Sequence, residues 1–158
     1  MLKLRANSDW PWYLHVSPLQ VESCLEAFPT THGAREDLKG LATFTLNLAH
    51  DKVAQTRALA LSLASKAADP KLKERYATCV EQYDDAADDI EDGKNDLGEG
   101  DYNGVNIKAS AAMTEAGDCL DSFTQPPKDP SALSGNGKTV EDICSIILVI
   151  ANLLLGRD

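Results

Sequence analysis

Apolar side chains recur along this chain at alternating steps of four and three residues, the spacing that lines up one side of an α-helix. From Ala34 to Ala68 there is no proline, and Gly40 is the one weak helix former. Ala42, Leu46, Ala49, Val53, Thr56, Ala60, Leu63 and Ala67 make a seam of mostly small groups through that stretch. At ~1.5 Å per residue the pattern predicts a helix of roughly 50 Å, longer than a compact globular helix needs, and so an elongated bundle.

Asp69-Pro70 marks a restart, because Asp can accept the free amides of a new helix and Pro is tolerated at its first position. The second seam is Leu72, Tyr76, Cys79, Tyr83, Ala86, Ile90 and Leu97, with Gly98 and Gly100 expected to end the helix. Asp101 is then expected to cap a third helix, whose inner face carries Tyr102, Val105, Ala109, Ala112, Ala116, Cys119 and Phe123 until Pro126, Pro127 and Pro130 stop it. A loop rich in Ser, Gly and Pro leads to Thr139. With Asp142 three residues later, Thr139 is the predicted start of a fourth helix. Val140, Ile143, Ile147, Ile150 and Leu154 form its stripe, and Ile146, Leu148 and Leu153 are expected to broaden it into the most buried of the four. No useful β alternation occurs. Short connections predict an all-α, up-down-up-down four-helix bundle over residues 34–158, behind an N-terminal extension of residues 1–33.

Charge narrows the partners. The 158 residues carry 25 Asp plus Glu against 15 Lys plus Arg, a net charge of -10. Such a surface is not built to neutralise phosphates or anionic lipid, which argues against nucleic acid and membrane, and a cationic partner is its complement. The most apolar segment, Ile146 to Leu155, contains Asn152 and falls far short of the ~20 residues that cross a bilayer. Met1 to Val16, with Lys3, Arg5 and Asp9, has no continuous apolar stretch of signal-peptide length.

Four cysteines suit an oxidising compartment, and the absence of a Cys-x-x-Cys unit speaks against a zinc ribbon. Cys79 and Cys119 lie equally far, twenty residues, on either side of Glu99 at the predicted turn. In an antiparallel hairpin they sit side by side and both in apolar seams, so a disulfide is predicted over two buried thiols. Closing that loop contributes roughly 3 to 4 kcal/mol on the loop-entropy model. Cys24 and Cys144 have no such symmetry; they pair with each other or stay free.

Other chemistry finds little support. Gly-Asn-Gly-Lys-Thr at residues 135–139 approaches a phosphate-binding loop, but no strand precedes it and Ala132 stands where the first Gly belongs. His15, His32 and His50 are scattered, without metal-site spacing, and there is no Gly-x-Ser-x-Gly elbow. No catalytic residue, metal or cofactor is expected. On the second helix, Glu81, Asp85, Asp88 and Asp92 recur at helical steps two residues off the seam, widened by Asp84, Asp89 and Glu91. A charge run of this kind is ordinarily a solvated face, although repulsion between like charges on adjacent turns costs a few tenths of a kcal/mol per pair.

Several strings carry a resemblance. They are Asp69-Pro70-Lys71-Leu72-Lys73-Glu74-Arg75-Tyr76 leading to Cys79, Gly100-Asp101-Tyr102-Asn103, Ala109-Ser110-Ala111-Ala112 leading to Cys119, and Glu141-Asp142-Ile143-Cys144 leading to Asn152-Leu153-Leu154. Asp37-Leu38-Lys39-Gly40-Leu41 adds to them. From about Cys24 to Gly156 the chain resembles the plant invertase and pectin methylesterase inhibitor family. The resemblance implies a four-helix bundle behind a short helical hairpin, one disulfide between the second and third helices and one closing the hairpin. It also implies an extracellular protein of the apoplast. The chain departs from the pattern at His15, where the family has the cysteine that staples the hairpin, which leaves the N-terminal conformation and Cys24 open.

The strings around Tyr76, Asp101 and Asn152 look more like the pectin methylesterase inhibitors, so that enzyme is the expected target in a one-to-one complex. Acid invertase is the alternative, and a non-inhibitory helical module the competing class. Pectin is a polyanion, and a cleft that processes it should carry positive charge. The expected contacts are therefore Glu81, Asp85 and Asp88 with Asp101, Asn106 and Asp118, obstructing the substrate groove. Trp10, Trp12 and Tyr13 either pack against the bundle end or form a self-association patch.

Overall fold

A computed structural model describes residues 31–157. The expected hairpin, Cys24 and the Trp10, Trp12 and Tyr13 group lie outside the described residues. Four helices follow one another: α1 Thr31–Lys66, α2 Pro70–Glu99, α3 Tyr102–Asp121 and α4 Leu133–Leu154, with no strand among the described residues.

Local chemistry sets most boundaries. The Asp69 carboxylate accepts from Lys71 N at 2.8 Å and Leu72 N at 3.0 Å, satisfying two amides that the first turn of α2 leaves free. Gly100 ends that helix at φ 79, where a side chain would be strained, and Asp101 N then returns to Asp96 O at 2.8 Å. Gly98, also expected to stop α2, is an ordinary helical residue. Asp101 in turn accepts from Gly104 N at 2.9 Å and caps α3.

Contacts between helices run in opposite chain directions at every side of the bundle. Leu46 and Arg57 of α1 meet Gly93 and Asp84 of α2. Asp89 of α2 meets Lys108 of α3, and further along Cys79 meets Cys119. Asn106 and Met113 of α3 meet Asn152 and Ser145 of α4. Lys52 of α1 donates to Asn136 of α4 at 2.9 Å, closing the circle. The order around the bundle is therefore α1, α2, α3, α4, each antiparallel to its neighbours, the up-down-up-down arrangement that the short connections predict.

The predicted seams make the core. Leu46, Val53, Tyr83, Ile90, Val105, Leu133, Val140 and Ile147 are fully enclosed, and Ala49, Ala60, Ala86, Ala109, Ala112 and Ala116 fill the narrow spaces between the axes. At ~25 cal/mol per Å² of apolar area removed from water, each large side chain in this list is worth about 1.5–3 kcal/mol of burial. Thr56 is the polar member of the α1 seam, and its hydroxyl donates to Lys52 O at 2.7 Å, so it enters the core without an unpaired hydrogen.

Two expectations about α4 need correction. It begins at Leu133, not Thr139, because residues upstream cap it: Ser131 Oγ accepts from Leu133 N at 3.0 Å and Asp129 Oδ2 from Ser134 N at 3.2 Å. Ser134, Gly135 and Gly137, read as loop, are helical, and Thr139 merely donates its hydroxyl to Gly135 O one turn back. Gly137 is needed there for space, since a Cβ would stand 2.6 Å from Tyr83 Oη and 2.8 Å from Leu120 Cδ2. Second, Leu148 packs partly against the core, but Ile146 and Leu153 are exposed. The apolar arc of α4 is wider than the arc its two neighbours cover.

Candidate functional site

The row of carboxylates on α2 starts from the seam. Tyr76, Cys79, Tyr83, Ala86 and Ile90 point inward, so residues two positions away point out, and Glu81, Asp85 and Asp88 are all exposed. Neighbouring helices then divide the row. Arg57 Nε of α1 lies 2.9 Å from Asp84 Oδ1 on one flank. On the other, Lys108 of α3 sits 3.1 Å from Asp89 and 2.7 Å from Asp92, and hydrogen bonds to Asp92 and Asp89 hold its pKa above the usual lysine value. Lys94 lies 3.1 Å from Glu91. Among the described residues, no basic side chain comes within salt-bridge distance of Glu81, Asp85 or Asp88. They form a ridge of uncompensated charge with neutralised margins.

From α3 the ridge gains Asp118 and Glu115. Partial burial pushes the Glu115 carboxyl up, and the charges of Asp85, Asp118 and Asp89 push it further. That coupling puts Asp85 and Asp118 in one electrostatic neighbourhood. Glu115 is the residue that sequence reasoning missed; its signal is its place three residues before Asp118, one helical step along the same face.

The other two expected contacts lie elsewhere. Asp101 is spent on capping α3 at the α2–α3 turn, sixteen residues beyond Asp85 and so about 24 Å away along the helix. Asn106 faces α4, where its amide donates to Asn152 Oδ1 at 3.3 Å.

Behind the ridge the framework is covalent. Cys79 and Cys119 are bonded, with Cα atoms 4.9 Å apart, tying α2 to α3 at the end remote from their turn. Cys144 is a buried free thiol in α4; burial, then the charge of Glu141, raises its pKa to about 12, so at neutral pH it is an inert apolar group. Among the described residues no cluster of His, Cys, Asp and Glu is arranged to hold a metal, and no helix is long and apolar enough to cross a membrane.

The sequence profile described as "Plant invertase/pectin methylesterase inhibitor" matches residues 20–150. The chain belongs to this inhibitor family. Among curated relatives, a pectinesterase inhibitor of Actinidia deliciosa is 47% identical over 134 residues, which is 84% of this chain and 72% of the relative. Pectinesterase inhibitor 1 of Arabidopsis thaliana is 35% identical over 83% of this chain and 74% of its own length. Among solved structures, a crystal structure of a pectin methylesterase inhibitor from Arabidopsis thaliana superposes with a TM-score of 0.72 at 32% identity, covering 86% of this chain and 85% of that one. The bundle and its α2–α3 disulfide are thus features of an inhibitor-family protein, and the carboxylate ridge is a surface carried on that scaffold.

Proposed function

We propose that the chain inhibits a plant pectin methylesterase in a one-to-one complex, laying the α2–α3 ridge across a positively charged substrate groove. The observation that carries this reading is the 47% identity with a pectinesterase inhibitor over most of the chain. The unpaired carboxylates supply the means. A substrate groove for a polyanion presents cations, and Glu81, Asp85, Asp88 and Asp118 offer them fixed negative charge on a rigid two-helix base. Long-range attraction speeds encounter, while the packed contact sets the lifetime of the complex. The protein does no chemistry of its own in this reading. It acts outside the cell, where the Cys79–Cys119 bond persists.

Titration of pectin methylesterase with the purified chain tests the proposal. Activity should fall to a floor near equal molar amounts. The double variant Asp85→Lys with Asp88→Lys should raise the inhibitor concentration needed at least ~tenfold, equivalent to about 1.4 kcal/mol of binding, while its thermal melt stays within a few degrees. Full inhibition by the double variant would remove the ridge from the contact. The family description also names invertase, so acid invertase belongs in a parallel titration. Loss of invertase activity alone would assign the chain to that target.

A further inference from the structure

Ile107 is, among the described residues, the one large apolar side chain of α2 or α3 that lies open, at 59% exposure; the others belong to α1 and α4. Its neighbours in sequence fix its direction. Asn106 reaches across to Asn152 of α4 and Lys108 to Asp89 and Asp92 of α2, so the side chain between them points away from the bundle. Ser110, Thr114 and Asp118 follow Ile107 at steps of three or four and are all exposed, so one row of α3 runs from this apolar side chain to the ridge. The ground beside Ile107 is already neutralised. Lys108 lies 3.1 Å from Asp89 and 2.7 Å from Asp92, and water leaves such a cluster at lower cost than it leaves a carboxylate without a partner. Glu81, Asp85 and Asp88, with no basic side chain at salt-bridge distance among the described residues, must keep their water or meet cations.

We infer, resting on the inhibitory reading proposed above, that Ile107, on the margin that Lys108 neutralises, is the packed anchor of the complex with pectin methylesterase. Charges bring partners together, but a contact that lasts needs a dehydrated centre with apolar groups and few charges in it. The ridge supplies the first and the Ile107 margin the second. The chemistry of the partner matches both parts. A groove that accepts pectin meets methyl esters as well as carboxylates, so it needs apolar ground beside its cations. Ile107 offers that ground a branched hydrocarbon, and the row that ends at Asp118 carries the contact on to the cations. Lys108 therefore has two opposed effects: it subtracts from the field that steers the partner, and it lets the anchor be dried without leaving Asp89 and Asp92 unpaired.

Surface plasmon resonance of the full chain on immobilised pectin methylesterase, at low and at physiological salt, tests the inference. Ile107→Ala should dissociate at least ~tenfold faster while its association rate stays within about twofold of the wild type. Lys108→Met should move both rates. Its association should be about two- to fivefold faster at low salt, an advantage that salt removes, and its dissociation faster too, because two carboxylates at the anchor lose their partner. Asp85→Lys with Asp88→Lys should act mainly on association, which separates the ridge from the anchor. Ile107 is exposed and surface ion pairs add little to stability, so the melts of both single variants should match the wild type. A wild type that binds and an Ile107→Ala that leaves at the wild-type rate would overturn the anchor and leave the ridge standing, whereas a wild type that does not bind would remove both. Lys108→Met leaving as slowly as the wild type would overturn the part given to the neutralised margin. A clearly lowered melt for Ile107→Ala would also overturn the anchor, because the chain's own leading segment would then cover that side chain.

Discussion

Tyr76 donates its hydroxyl hydrogen to Asp129 at 2.7 Å, and the same carboxylate accepts from Ser131 N, Ser134 N and Ser134 Oγ at the start of α4. One side chain thereby links the first turns of α2, the α3–α4 connection and the fourth helix. Arg75, next along α2, donates to the carbonyls of Gln125 and Pro127 and lies over the Phe123 ring at 5.9 Å. The connection that the prolines interrupt is pinned to α2 by these two neighbours.

Asp129→Ala should therefore destabilise the fold by about 2–3 kcal/mol, the sum of a lost helix cap and a buried hydroxyl left without its acceptor. Tyr76→Phe should cost less, about 1 kcal/mol, because both partners of a single bond are then relieved or solvated. Denaturant melts of the two variants check the ranking.

Burial raises the Asp129 carboxyl, but the hydrogen bonds from Ser131, Tyr76 and Ser134 outweigh it and leave its pKa below the ordinary value. A carboxyl held low in the folded state adds stability that is complete above its unfolded pKa, about 3.9, and is lost as pH falls through the folded value. The stability gap between the wild type and Asp129→Asn should thus be constant from about pH 5 to 7 and close below about pH 4. A gap that persists into strong acid would remove the carboxylate from the explanation.

Glu115 has the opposite sign. Its raised pKa favours the protonated form in the fold, so its contribution is present in acid and is lost as pH rises through the folded value. Glu115→Gln should stabilise the protein near pH 7 by a few tenths of a kcal/mol, the usual size of one like-charge pair on neighbouring turns, with the gain vanishing in acid. Thermal melts of both proteins across that range measure it.

Replacing both Cys79 and Cys119 by Ser should cost about 3–4 kcal/mol by freeing a loop of 40 residues in the unfolded chain. The α-helical circular dichroism at room temperature should change little, because the other positions of the two seams stay apolar and packed in or against the core.

Gly137→Ala sets a gain in helix propensity of about 1 kcal/mol against overpacking at Tyr83 Oη and Leu120 Cδ2. The crowding should win, with a net loss of about 1–2 kcal/mol. Tyr83→Phe, which removes a buried hydroxyl that has no hydrogen-bond partner among the described residues, should be neutral or better alone and should recover part of the loss in the double variant.

Most of the bundle is legible in the sequence because its seams obey one spacing from end to end. Ala42 to Ala60, Tyr76 to Ile90 and Tyr102 to Cys119 follow that spacing, and the structure buries them as the periodicity predicts. Asp69 and Asp101 announce their helices because a cap is a local device. The start of α4 is hidden for the converse reason: Asp129 and Ser131 act from outside the helix, and Gly135 and Gly137 read as breakers until Tyr83 and Leu120 are seen to need the space. The ridge is legible as a row of acids on α2. Which of them are paired depends on Arg57 and Lys108, side chains from other helices that no spacing within α2 can reveal. The same limit separates Asp101 and Asn106 from the ridge.

The sulfur bridge between α2 and α3 stands far from the short turn that connects them. A protease that cuts between Glu99 and Asp101 therefore yields two pieces that still migrate as one molecule, and only a reducing agent releases them. Digestion with and without reductant would make the topology visible on a gel.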